Sequence, residues 1–233
     1  MEKAESDDNV VAIVLTGKGR SFIAGADISE FGQQIEGPSI HDAFEKIEKS
    51  SKPVIAAING SALGGGLETA LCCHYRVSSK QGFIGLPEVN LGLLPGAGGT
   101  QRLPRLVGPA EALKIMLSGR HISAVKAVDM GVIDSLSEGD IVEDAVAFAT
   151  AIRAVGVGSE MSATPGLSAA EPGLSATTRS NSGDTESAIP TGARNHAQPR
   201  SALLTRLTVV RAGTADLPSR TIVRMRLPHV ELS

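Results

Sequence analysis

Two glutamates stand twenty positions apart, each beside an unusual stretch of backbone. Glu68 closes Gly64-Gly65-Gly66-Leu67-Glu68, and Glu88 lies in Gly85-Leu86-Pro87-Glu88-Val89. Two carboxyls sharing an apolar pocket cannot both ionise cheaply, so one pKa rises and that group keeps its proton. Such a pair can take a proton from a water on one side and deliver one on the other. Taken singly, each glutamate reads as an ordinary solvated residue, because Glu is rarely buried. The chemistry rests on their joint setting.

Glycines supply the other half of the reading. Backbone N–H groups in the first turn of a helix have no intrahelical acceptor and lie at the positive end of its dipole. Gly64-Gly65-Gly66 ahead of a helix can therefore offer an anion a site that no Cβ obstructs. A second donor is available upstream, from Ala26 in Ala24-Gly25-Ala26-Asp27, in the loop after the first strand. Two donors on one oxygen stabilise an enolate or a tetrahedral anion, and losing one typically costs about 3–4 kcal/mol of barrier. The competing reading is that the triplet merely lets a helix and a strand pack closely.

Other residues carry less. His41 and His74 have no metal-ligand partners at useful spacing and read as surface or packing residues, so no metal is expected. There is no Gly-x-Ser-x-Gly elbow and no phosphate loop, and Gly156-Val157-Gly158 lacks the third glycine of a dinucleotide fingerprint. Arg102 and Arg105 read as a solvated helix face, with contact to a phosphorylated ligand as the alternative.

The elements that must position these groups follow from periodicity and punctuation. Val10–Leu15 is an apolar, β-branched run ending at Thr16-Gly17, a buried strand and turn. Ile40, Ala43, Phe44 and Ile47 mark one helix face over 39–50. Residues 53–58 form a second buried strand, and the glycine triplet opens a helix to about Cys73. Short strands are expected at 75–78 and 83–85, helices at 99–107 and 109–118, and a Ser123-capped helix ended by Gly131. A brief strand at Val132-Ile133 and a helix over 140–154 complete the pattern, the latter burying Ile141, Ala145, Val146 and Phe148. Strands alternating with helices define an α/β domain.

That domain ends near residue 155. Every Lys lies at or before Lys126 and the last aromatic is Phe148. Residues 156–233 hold eight Arg and six acidic residues, a net +2, which leaves −5 on residues 1–155. Neither part has the basic excess of a nucleic-acid binder. Pro-Gly-Leu-Ser-Ala occurs at 165–169 and again at 172–176, within a Ser/Ala/Pro/Gly/Arg-rich tail that reads as largely disordered, above all over 156–200. Within it, 202–210 and 221–227 have some strand-like apolar content. Cys72 and Cys73 are adjacent, a spacing that rarely allows a disulfide and points to a reducing compartment. No run approaches the ~20 apolar residues of a membrane span, and no targeting address is visible.

The segments Phe22-Ile23-Ala24-Gly25-Ala26-Asp27-Ile28, Gly64-Gly65-Gly66-Leu67-Glu68 and Leu86 through Gln101 resemble the enoyl-CoA hydratase/isomerase (crotonase) superfamily in order and spacing. The resemblance covers roughly residues 8–155, about two thirds of the chain. Cys73-His74-Tyr75-Arg76 and the Gly-Leu-Pro-Glu-Val run look most like the hydratase portion of the bifunctional β-oxidation enzymes. It implies an α/β spiral of ββα turns, incomplete at both ends, without the leading strands, the C-terminal assembly helices or a dehydrogenase domain. It implies oxyanion donors at Ala26 and Gly65, catalytic carboxyls at Glu68 and Glu88, and a CoA-contacting loop Ala24, Gly25, Ala26, Asp27, Ile28 with Gly64 and Gly65. Leu86, Leu91 and Leu93 would wall the acyl chain.

The implied reaction is syn addition of water to a trans-2-enoyl-CoA, with 3,2-enoyl-CoA isomerisation as a second activity. No cofactor is implied beyond the CoA of the substrate, and the implied partners are the acyl-CoA and further copies of the chain, not nucleic acid or membrane. The implied setting is the peroxisome, otherwise the cytoplasm. A non-catalytic product that binds acyl-CoA or a full-length partner is the alternative.

Overall fold

The computed structural model describes residues 1–23, 39–154, 204–211 and 220–226. After a short helix α1 (Glu2–Glu5), strand β1 (Val10–Gly17) is buried almost throughout. Helix α2 (Ile40–Glu48) begins at Ser39, whose hydroxyl accepts the Asp42 N–H while the Asp42 carboxylate accepts the Ser39 N–H. This reciprocal capping satisfies two donors that a helix start otherwise leaves open. It buries Ile40, Phe44 and Ile47, the face that the sequence spacing marks.

The next elements repeat a pattern. β2 (Val54–Ile58) joins the large sheet, β3 (Ser61–Leu63) joins a small one, and α3 (Gly65–Cys72) returns the chain. β4 (Tyr75–Ser79) and β5 (Phe83–Gly85) then take the same two places in the next turn. β1, β2 and β4 are parallel, as are β3 and β5. Ile23 makes the corresponding parallel bridge to Ala62. Each circuit thus gives one strand to each sheet and one helix outside, a spiral of ββα turns. A 3-10 turn (Glu88–Leu91), α4 (Gly99–Val107) and α5 (Pro109–Ser118) follow. β6 (Ile122–Ser123) pairs antiparallel with β5, and α6 (Ala124–Asp129) starts at the Ser123 cap. β7 (Ser135–Ser137) adds to β4, and α7 (Ile141–Ala154) lies across the large sheet.

Burial on both faces explains the near-continuous apolar strands. Ile13, Leu15, Val54, Ala56 and Ile58 face the main core with α2 and α3 residues, whereas Ala12, Val14, Ile55 and Ala57 meet Ala145, Val146 and Ala149 of α7. Ile141 and Phe148 pack at the margin of that second cluster and are only half-buried.

Two differences from the sequence reading have physical causes. Val132-Ile133 is not a strand; the strand begins at Ser135. The N–H groups of Val132 and Ile133 both donate to the Ala127 carbonyl at the end of α6, and the Val132 carbonyl accepts from Arg76 Nε at 2.7 Å. Three of the four backbone groups of the pair are thus taken away from a ladder. The second difference lies in the tail. β8 (Leu204–Arg211) runs antiparallel along β1, and β9 (Arg220–Arg226) pairs with β8. The edge of a buried strand offers unpaired backbone groups, and Thr208, Val209 and Val210 are buried against it. Arg211 anchors the end through Asp7 at 2.9 Å. Residues 156–200, read as disordered, lie outside the described residues.

Candidate active site

Gly64 takes φ 54°, ψ −128° where β3 turns into α3, a conformation that residues with a Cβ reach only under strain. Its neighbours divide the two readings of the triplet between them. A Cβ on Gly66 would stand 2.0 Å from the Ile23 carbonyl oxygen, so Gly66 serves close packing. A Cβ on Gly65 would meet nothing within 4 Å. Gly65 is the first residue of α3, so its N–H has no carbonyl within the helix to donate to. It is a donor that the helix itself leaves without an acceptor.

Glu68 follows on the first turn of α3 and is 2% exposed. Its Oε1 accepts two backbone N–H groups, from Ala97 and Gly99, both at 2.8 Å. Burial pushes its pKa up, and those two hydrogen bonds and the nearby Arg102 charge pull against the rise. Glu88 heads the 3-10 turn behind Pro87, a turn that ends at Gly92 with φ 71°. It is 8% exposed, and its Oε2 has no hydrogen-bond partner among the described residues. Burial raises its pKa as well, its own backbone N–H opposes this, and the charge of Glu68 adds to the rise.

The two carboxyls are therefore unequal. Glu68 is the better anion, because two amides already solvate its charge. Glu88 is the better acid, because an ionised Glu88 would leave one buried oxygen unsolvated next to a like charge. Such a pair can supply one base and one acid.

Leu86 is fully buried beside the pair; its Cδ1 would lie 3.2 Å from a Cβ on Gly99. Leu91 and Leu93, expected with it as acyl walls, are 61% and 38% exposed. Leu91 closes the 3-10 turn and Leu93 follows the left-handed Gly92. Ala24, Gly25, Ala26, Asp27 and Ile28 lie outside the described residues. His41 is exposed, and His74 is a packing residue whose Nδ1 accepts the Val54 N–H at 3.0 Å. Cys72 and Cys73 are both free and buried. Among the described residues no cluster of three or more His, Cys, Asp or Glu could hold a metal, and no helix is long and apolar enough to cross a membrane.

The solvated-face reading holds for Arg105 and fails for Arg102. Arg105 is exposed, whereas Arg102 is 5% exposed and turned inward. Its Nε contacts Glu48 Oε1 at 2.6 Å and its Nη1 donates to the Ala97 carbonyl at 2.8 Å. Sequence reasoning missed Ala97, Gly99, Glu48 and Arg102. The dense Pro95-Gly96-Ala97-Gly98-Gly99 run just ahead of a helix was the available signal, since it frees several amides at one point.

Two buried carboxyls near a helix start, on a spiral of ββα turns, are the features to set beside known proteins. The chain belongs to the enoyl-CoA hydratase/isomerase family, whose model matches residues 1–158. Among its relatives, the peroxisomal bifunctional enzyme of Danio rerio is 49% identical over 156 residues, covering 67% of this chain and 21% of that protein. A probable enoyl-CoA hydratase of Bacillus subtilis is 43% identical over 166 residues, covering 64% of this chain and 61% of that protein. The crystal structure of enoyl-CoA hydratase from Bacillus anthracis superposes with a TM-score of 0.59 at 36% identity, covering 65% of this chain and 62% of that one. The chain thus spans about a fifth of the bifunctional relative and under two thirds of the other two.

Proposed function

We propose that this chain hydrates trans-2-enoyl-CoA thioesters to 3-hydroxyacyl-CoA in fatty-acid β-oxidation. One observation carries the reading: Glu68 and Glu88 are both buried and near enough for the charge of one to bear on the other, one oxygen of the first held by two amides and one oxygen of the second unpartnered among the described residues. Glu68, ionised, accepts a proton from water through its remaining oxygen, and the water oxygen bonds to the β-carbon. The double-bond electrons move toward the thioester, whose oxygen is stabilised by the N–H of Gly65 and by that of Ala26. Glu88 then gives its proton to the α-carbon, and the two glutamates exchange protonation state before the next turnover.

No cofactor takes part beyond the CoA of the substrate. Loop 24–28 and Gly64 contact the CoA portion, and Leu86 meets the acyl chain together with Leu91 and Leu93 at its outer end. The same Glu88 can carry a proton between the α- and γ-carbons, which would convert a 3-enoyl to a 2-enoyl thioester. The identity to peroxisomal bifunctional enzymes supports a peroxisomal setting.

The test is loss of the conjugated-thioester absorbance of crotonyl-CoA with the purified full chain. Turnover that Glu68→Gln and Glu88→Gln each abolish supports the reading. A cooperatively folded chain whose melting temperature rises with acyl-CoA, yet which turns nothing over, would favour a binding protein instead.

A further inference from the structure

Arg102 lies on the second turn of the helix whose start it serves, and its side chain folds back toward that helix's N-terminus. A cation there faces the positive end of the helix dipole, which disfavours it. Three contacts hold it in place. Its Nε meets Glu48 of α2 at 2.6 Å, its Nη1 donates to the Ala97 carbonyl at 2.8 Å, and its guanidinium carbon stands 5.6 Å from the centre of the Phe44 ring.

Ala97 is where this clamp meets the chemistry. Its carbonyl accepts from Arg102, while its own N–H and that of Gly99 hold Glu68 Oε1. Between them Gly98 takes φ 96°, and a Cβ there would fall 2.1 Å from Arg102 Nη1. The backbone is shaped around the guanidinium. We infer that Arg102, tied to Glu48, is a positioning residue for Glu68: it fixes the 97–99 segment so that two amides converge on one carboxylate oxygen. The inference deepens the hydratase reading and rests on Glu68 being its base. Arg102 touches neither the substrate nor the reacting atoms in this scheme. Removing it frees the segment, weakens both amide contacts and removes a nearby positive charge, so the Glu68 carboxylate loses solvation on two counts.

The experiment reads Glu68 directly. The side-chain carboxyl carbons of 13C-glutamate-labelled full chain are titrated by NMR, with Glu68→Gln assigning the signal, in wild type, Arg102→Lys, Arg102→Met and Glu48→Gln. The Glu68 midpoint is expected to rise in Arg102→Met and Glu48→Gln, and less in Arg102→Lys, which keeps the charge but not the fork. With crotonyl-CoA, kcat is expected to fall by about 10- to 100-fold with KM within about twofold, and the acidic limb of the kcat profile moves up with the midpoint. If Arg102→Met does not fold, Glu48→Gln, which keeps the guanidinium, carries the same expectation. An unmoved Glu68 midpoint in a folded variant overturns the inference even if activity falls. A shifted midpoint with no turnover in wild type leaves it standing and refutes the hydratase reading instead.

Discussion

Gly99 donates its N–H to Glu68 Oε1 at 2.8 Å, and a Cβ on Gly99 would stand 3.0 Å from that same oxygen. The hydrogen bond and the missing side chain are one arrangement. A methyl there would also press on Glu68 Cγ at 3.0 Å and Leu86 Cδ1 at 3.2 Å. Gly99→Ala is expected to destabilise the fold by about 1–3 kcal/mol, as overpacking does, and to raise the Glu68 pKa by lengthening the hydrogen bond. Denaturant melts and the carboxyl titration measure the two effects, and an unchanged titration would separate the glycine from the carboxylate.

The two halves of the glycine triplet should respond differently to the same substitution. Gly66→Ala drives a methyl to 2.0 Å from the Ile23 carbonyl oxygen, a backbone atom that cannot step aside locally. A stability loss of about 1–3 kcal/mol is expected. Gly65→Ala meets nothing within 4 Å and should leave the melting temperature within a few degrees of wild type. If Gly65 is the proposed oxyanion donor, the variant should nonetheless raise KM or lower kcat for crotonyl-CoA, because the methyl would crowd the thioester. Equal stability losses in both variants would contradict the division.

Burial raises the pKa of Glu88 above its ordinary value of 4.5. For an acid raised on folding, the stabilisation is complete below the unfolded value and is lost as pH climbs through the folded one. Glu88→Gln, which cannot ionise, should therefore gain on wild type as pH rises from about 4.5. The melting-temperature difference between the two, followed from pH 4 to 9, is the readout. A constant difference would mean that Glu88 is solvated.

His74 should act on the acid side. Burial, helped by the Arg76 charge and opposed by Glu48 and Glu5, holds its pKa below 6.5. Its Nδ1 accepts the Val54 N–H and its Nε2 is unpartnered among the described residues, so protonation would break one contact and bury an unpaired charge. A base lowered on folding contributes stability that is present above the unfolded value and lost as pH falls through the folded one. His74→Gln should cost stability at pH 8 by about 1–2 kcal/mol, and that deficit should shrink as pH falls below 6.5. Parallel melting curves across that range would contradict the assignment.

How much of this was legible beforehand depended on whether the signal was local. The helices and the first two strands carry their own punctuation: Ser39 and Ser123 as caps, Pro109 at a helix start, Gly131 at an end with φ 73°. Those elements matched. Val132-Ile133 looked like a strand because it is apolar and β-branched, but three of its four backbone groups are taken by Ala127 and Arg76, partners that periodicity cannot reveal. The β8 and β9 pairing was equally hidden, since it needs the β1 edge some 190 residues away.

In the candidate site the two carboxyls were legible, and what surrounds them was less so. Glu68 and Glu88 stood out through neighbouring glycines and proline. The inward turn of Arg102 depends on Glu48, 54 positions earlier, and on the φ of Gly98. An arginine on a helix surface pattern reads as solvated unless that partner is known.

Hydration in D2O tests the division of labour between the two glutamates most directly. The full chain is given crotonyl-CoA in D2O, and the product is followed by proton NMR. The expected product is 3-hydroxybutyryl-CoA with a single deuterium on one face of the α-carbon, formed by wild type and suppressed by about 100-fold or more in Glu68→Gln and in Glu88→Gln. A folded wild-type chain that forms no such product, or a Glu88→Gln variant that still delivers the deuterium, would contradict it.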